Sequence, residues 1–263
     1  MPVLCSSGKQ YRAIYQRGVL KTFANPQKTT PQVIPYFGVR TLLDFGFFDR
    51  FNREVAVLGT GRLDKFLSRF YQRALERFPV ESSSNPNIPL RDGIAIRFPI
   101  RESARNVPQR FLVLLNWLME TQEFDFVWHS NISTYLNLGA MDKHLERVSE
   151  KFYYAGVIGN YEDFGFVSGA SVCLGRDTVK LILANTDKWD NSLLWDVSLG
   201  KLLHSLNVVP SEIPRLDISK PSQALAISEE ILRSTINFRC KSGRWVRRDH
   251  KIMGAIHKRL TIN

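Results

Sequence analysis

The sequence predicts an α/β domain in which helices enclose a sheet on both faces, and three observations predict it. From residue 93 onward, short apolar runs alternate with segments of helical periodicity, the order that buries a sheet between helices. Hydrophobic residues make up 44% of the 263 residues and aromatic ones 11%, enough for one large domain or one domain with a small appendage. The run Phe124-Asp125-Phe126-Val127-Trp128 breaks into His129-Ser130-Asn131-Ile132-Ser133. A buried strand turns polar in this way where it reaches the edge of its sheet, and in open α/β sheets ligands sit beyond those strand ends.

The elements follow in order. Residues 11–23 suit an early helix, and 33–39 a strand interrupted by Pro35. Residues 62–78 predict a helix, with Leu63, Phe66, Leu67, Phe70 and Leu75 on one face. Residues 80–89, with three serines and two prolines, read as a loop. After it come a strand over 93–98, a helix over 107–121 and the strand over 124–128. A helix over 141–150, strands over 153–159 and 166–174, and helices over 177–185 and 196–206 complete the regular part. A further strand is expected over 235–238, leading into a basic C-terminal segment.

Composition limits the partners. A formal net charge of +11 calls for an acidic one: nucleic acid, anionic lipid or a phosphorylated ligand. The three cysteines, Cys5, Cys173 and Cys240, are far apart without CxxC spacing, so they read as reduced thiols in a reducing compartment. Residues 1–20 carry no apolar run of signal-peptide length, and the apolar stretch 112–119 is too short to cross a bilayer. The chain is therefore expected to be soluble or peripheral. The five histidines are scattered without HxH or HExxH spacing, which argues against zinc. There is no GxSxG, and Gly59-Thr60-Gly61 lacks the Lys-Ser/Thr of a phosphate-binding loop and is better read as a turn.

Three local signals carry chemistry. In Phe166-Val167-Ser168-Gly169-Ala170-Ser171-Val172 small residues interrupt a strand, which admits a ligand close to the backbone or makes a tight crossing; the helix after it is expected to be capped at Arg176-Asp177. In Trp195-Asp196-Val197-Ser198-Leu199-Gly200 an acid opens a helix, as a functional carboxylate or simply as an N-cap. Residues 239–251 gather Arg239, Lys241, Arg244, Arg247, Arg248, His250 and Lys251 around Gly243, as an anion site or a solvated tail.

Taken in order, these pieces resemble a known family. Asp92-Gly93-Ile94-Ala95-Ile96-Arg97-Phe98, Asn106-Val107-Pro108-Gln109-Arg110, the 124–136 segment, Ser168-Gly169-Ala170, Gly175-Arg176-Asp177 and Trp195-Asp196-Val197-Ser198-Leu199-Gly200 are similar to the core of GT-A glycosyltransferases. The similarity is to the β-1,3-galactosyltransferase and Fringe group and covers roughly residues 90–210. The resemblance implies a GT-A-like, Rossmann-like fold with a mixed, mostly parallel sheet in a single domain. Residues 1–90 would then form the nucleotide-binding half, 91–210 the matched core and 211–263 the basic segment. It also implies sugar transfer from a nucleotide-sugar donor to a glycan or lipid-linked acceptor.

The departures matter as much. Where the family's Asp-x-Asp motif holds a divalent cation, this chain has Asn131-Ile132-Ser133, which offers no anionic ligand to Mg²⁺ or Mn²⁺. The family lysine corresponds to Arg110. The first acid of the acidic pair is replaced by Trp195, and Asp196 matches the second, the family's base. The expectation is inverting transfer with Asp196 as base and with no metal required. Arg110, Arg239, Lys241, Arg244, Arg247, Arg248 and, more weakly, His250 would neutralise the leaving diphosphate. Asn131, Ser133, Ser168 and Gly169 would contact the donor. The alternative is an inactive relative that binds sugar, nucleotide or a partner. Nucleic-acid binding ranks lower because no motif for it is present. Cytoplasmic location, or peripheral docking on anionic lipid at the inner face of the membrane, would suit the charge.

Overall fold

The computed structural model of the chain describes residues 107–243 and 248–261 in full, and residues 3–6, 33–39, 87–90 and 93–101 as strand backbone. The helices expected over 11–23 and 62–78 lie outside the described residues, as do Arg244, Trp245 and Arg247. The chain divides into two compact units, residues 36–114 and residues 1–35 with 115–263.

The smaller unit contains β3 (Asn87–Leu90) antiparallel to β4 (Gly93–Arg101), which pairs in parallel with β2 (Val33–Val39). Residues 87–89 of the expected loop are therefore strand: Asn87 to Leu90 pair directly with Ile96 to Gly93, and this pairing overrides the prolines. Helix α1 (Val107–Thr121) has the bounds its pattern predicts. Pro108 suits the first helical turn, and Phe111, Leu114, Leu115 and Leu118 form a fully buried stripe.

The larger unit is built on β1 (Val3–Ser6), β5 (Phe126–Asn131), β7 (Tyr154–Tyr161), β8 (Phe164–Gly175) and β9 (Ser211–Glu212). β1 runs parallel to β5, β5 antiparallel to β8, β8 antiparallel to β7, and β7 parallel to β9. The sheet is mixed as expected, with antiparallel pairs among the parallel ones. The reason is local: Glu162, at φ 50°, turns β7 directly back into β8, and so short a connection allows only antiparallel neighbours. A second sheet joins β10 (Arg215–Ile218) and β11 (Asn237–Cys240) in parallel, and β11 with β6 (Thr134–Leu136) antiparallel.

Helices α2 (Leu138–Leu145), α3 (Arg176–Leu183), α4 (Trp195–Ser205), α5 (Pro221–Ala226), α6 (Glu229–Ser234) and α7 (Asp249–Thr261) complete this unit. α2 begins earlier than expected because Asn137 caps it: Oδ1 accepts from Ala140 N, while Nδ2 donates to Leu232 O and Arg233 O. Trp128, Tyr135, Leu136, Tyr153, Phe238 and Met253, with neighbours from α5, α6 and α7, form one buried cluster. Each such side chain contributes about 1.5–3 kcal/mol on leaving water. Arg259 ties α7 down, donating to Ala224 O, Leu225 O and Ile227 O and pairing with Glu229. No helix among the described residues is long and apolar enough to cross a membrane.

Candidate functional site

The polar end of the 124–136 segment is strand for longer than its sequence predicts. β5 continues to Asn131 because Ser130 pairs with Ser171 on one side and Asn131 with Ser6 on the other. The chain then turns through Ile132 and Ser133 into β6. Asn131 makes that turn: its Oδ1 accepts from Ser133 N at 3.0 Å and shares the single Thr134 Oγ1 proton, at 3.1 Å, with Ala170 O, an Asx-type arrangement. The Asn131 oxygen is thereby occupied, and the Nδ2 side of the amide is left for another partner.

Opposite this turn, β8 leaves its ladder. Val167 pairs with Ile158 and Val172 with Gly156 of β7, so the four residues 168–171 face a single residue of that strand. On β5 the pairing ends at Ser171. The backbone groups of 168–170 must find other partners, and they find side chains. Ala170 O accepts from Thr134 Oγ1 at 2.9 Å, and Gly169 N donates to Asp196 Oδ2 at 2.7 Å. The strand expected over 166–174 is thus unbroken in backbone but interrupted in pairing. Below the gap, Ser171 Oγ accepts from Trp128 Nε1 at 2.7 Å in the core.

Asp196 belongs to the first turn of α4, where the helix dipole favours an anion. It is not the N-cap; that position is Leu194, which makes no side-chain cap. Its other oxygen, Oδ1, accepts from Val197 N at 3.1 Å. Burial raises the Asp196 pKa above the ordinary aspartate value, against the Gly169, Asp196 and Val197 backbone N–H groups, which lower it. Asp177 is likewise not the cap of α3. Gly175 holds that position, and Asp177 pairs within the first turn with Lys180 at 2.9 Å.

Trp195, beside the carboxylate, meets the His129 ring edge to face, with centroids 4.7 Å apart and planes at 72°. Gly169 lies so close that a Cβ there would stand 2.6 Å from indole Cζ2. Asn131, Ser133, Thr134, Gly169 and Asp196 thus form one contiguous set of contacts, with Ser168 half-buried next to Gly169. Sequence reasoning set His129 at the crevice without giving it a role, and missed Thr134. The Asn131-Ile132-Ser133-Thr134 spacing does carry an Asx-turn signal that would have found Thr134.

The basic segment arrives through β11. Arg239 pairs with Thr134 in the antiparallel ladder, and Cys240 N donates to Ser133 O at 2.6 Å. Directly paired antiparallel residues share a face, so the Arg239 side chain is on the face of the Thr134 hydroxyl. Asp217, paired with Arg239 on the other side, lies 3.9 Å from its guanidinium and is held more tightly by Arg215. Lys241 is exposed just beyond. Ser242 N and Oγ donate to the buried Asp249 at 2.9 and 2.8 Å, which brings together the two ends of the segment carrying Arg248, which is exposed. His250 stands in the first turn of α7. Arg110, in the smaller unit, is 4% exposed, with its Nε unpartnered among the described residues.

A divalent cation fits these residues poorly. The 131–133 turn has no carboxylate and its one amide oxygen is engaged. Among the described residues no group of three or more His, Cys, Asp or Glu is placed to hold a metal ion.

No protein-family model matches the chain, and no curated protein does. It is similar to solved structures of glycosyltransferases. One is the galactosyltransferase LgtC in complex with donor and acceptor sugar analogues, at 9% identity over 99% of this chain and 96% of that one, with a TM-score of 0.47. Another is the apo bifunctional enzyme WbbM, at 9% identity over 100% of this chain and 50% of that one, with a TM-score of 0.48. A third is the apo glycosyltransferase GlyE of Streptococcus pneumoniae TIGR4, at 8% identity over 97% and 59%, with a TM-score of 0.45.

Proposed function

We propose that this chain is a GT-A-like glycosyltransferase that moves a sugar from a nucleotide-sugar donor to an acceptor hydroxyl with inversion and without a divalent cation. The observation that carries the reading is the Asp196 carboxylate, half-buried and held on the Gly169 N–H where β8 leaves its ladder. Burial raises its proton affinity, as a general base requires.

The acceptor oxygen attacks the anomeric carbon, the bond from that carbon to the diphosphate oxygen breaks, and the acceptor proton passes to Asp196. The departing nucleoside diphosphate carries the negative charge away. Cations stabilise that charge as it develops: Arg239 and Lys241 beside the 131–134 turn, with Arg244, Arg247 and Arg248, and His250 in a lesser part. Asn131 Nδ2, Ser133, Ser168 and the Gly169 backbone contact the donor. A glycan or lipid-linked acceptor, and docking on anionic lipid, accord with the net charge of +11.

A second reading has its own support. Two backbone N–H groups on Asp196 give the carboxylate a structural task, which an inactive binding relative would also keep. Hydrolysis of UDP- and GDP-sugars without acceptor separates the two. Turnover that persists in EDTA and disappears in Asp196→Asn is the expected result. Strict dependence on Mn²⁺ would overturn the metal-free mechanism. Inertness toward every donor with nucleotide binding intact would favour the binding protein.

A further inference from the structure

The helix that carries Asp196 starts against the rules of helix chemistry. Its N-cap is Leu194, which makes no capping hydrogen bond and is 46% exposed. An uncapped start costs about 0.5–2 kcal/mol relative to Ser, Thr, Asp or Asn, and an exposed leucine adds no burial to offset it. The next residue is Trp195, only half-buried despite its size. A local violation of this kind beside a half-buried carboxylate marks a functional position.

The indole is also unusually constrained. His129, itself 4% exposed on β5, meets it edge to face at 4.7 Å. Gly169 makes room for it, since a Cβ there would reach Cζ2, Cε2 and Nε1 at 2.6, 2.7 and 2.8 Å. The same glycine donates its N–H to Asp196. One backbone residue therefore fixes both the position of the carboxylate and the closeness of the ring. The result is a rigid, partly open aromatic surface adjoining the group that must touch the acceptor hydroxyl.

We propose that Trp195, edged by Leu194, is the platform on which the acceptor sugar lies, and that the acceptor is a pyranose presenting an apolar face of ring C–H groups. Those C–H hydrogens are partly positive and meet the negative face of an indole. A flat ring held by His129 and Gly169 loses little freedom when it takes a ligand. The inference rests on the transferase reading and names the acceptor class for it.

The test uses the full chain and two independent probes. Binding of UDP is followed by calorimetry, and binding of methyl α- and β-pyranosides by saturation-transfer NMR. Both are applied to wild type, Trp195→Phe and Trp195→Leu, with leucine keeping apolar bulk against Gly169 without an aromatic face. The expected result is pyranoside binding that is retained in the phenylalanine variant and falls roughly three- to tenfold in the leucine variant, with UDP affinity unchanged in both. Equal pyranoside binding by the leucine variant and wild type, or none by wild type while UDP binds, overturns the platform and leaves the transferase reading standing. Absence of UDP and GDP binding in wild type overturns the transferase reading itself.

Discussion

Alanine at Gly169 sets a methyl group against the indole of Trp195. Three ring atoms would lie at 2.6, 2.7 and 2.8 Å from it, where carbon contacts settle at about 3.5–4.0 Å. The ring must retreat by about 1 Å, and the His129 ring at 4.7 Å restricts where it can go. Overpacking of this kind costs about 1–3 kcal/mol, a fall in Tm of about 2–12 °C for a chain of this size. Trp195→Ala removes the obstacle, so Gly169→Ala should cost far less in that background. Urea unfolding of wild type, both single variants and the double variant, followed by far-UV circular dichroism, measures the coupling. The double variant should be more stable than the sum of the singles predicts by about 1–3 kcal/mol. Additivity within about 0.5 kcal/mol, with unchanged m-values, would refute the wedge geometry and with it the account of why a glycine stands at 169.

Other outcomes follow from the same contacts. Asp196→Asn should reduce transfer by about 10²–10⁴-fold, read as product formed from donor and acceptor. In wild type, transfer should rise with pH along a limb displaced above the ordinary aspartate value, because Asp196 must lose its proton to act and burial makes it hold that proton. Stability runs the opposite way. A carboxyl whose folded pKa lies above its unfolded one contributes most below the unfolded value, and the contribution is lost as pH rises through the folded value; the difference in unfolding free energy between wild type and Asp196→Asn should follow that course. Ser171→Ala strands the buried Trp128 Nε1–H and should cost about 1–3 kcal/mol by denaturant titration. Arg259→Ala removes the donor to Ala224 O, Leu225 O and Ile227 O; a loss of about 1.5–3 kcal/mol is expected, and Lys, without the forked guanidinium, should not restore it.

The regular part of the fold was legible wherever burial imposed a period. α1 could be read to the residue because Phe111, Leu114, Leu115 and Leu118 recur at helical spacing and all are buried. β6, β9 and β10 could not, because two to four residues carry no period and owe their strand character to partners such as β11. β5 was read too short for the same reason: Ser130 and Asn131 are polar, yet Ser130 is paired on both sides and Asn131 with Ser6. In the candidate site, the order of motifs singles out Asn131, Gly169 and Asp196. Their linkage through Thr134 and Ala170, and the packing of Trp195 on His129, join residues far apart in sequence, so no local pattern records them. Arg239 was identified by charge alone. Its place beside Thr134 comes from strand pairing, which also gives it Asp217 as a neighbour.

The Gly169 N–H differs from an amide in a regular ladder in ending on a titratable oxygen. Its proton should therefore sense the charge on Asp196 directly, and its amide resonance should move with pH as that carboxyl gains or loses its proton. A nucleus in the protein backbone thus becomes a meter for one side chain. Glycine amides resonate apart from the bulk of a ¹⁵N spectrum, which makes this one a practical choice. Whatever settles near Asp196, whether nucleotide, sugar or neither, would register there before any product is formed.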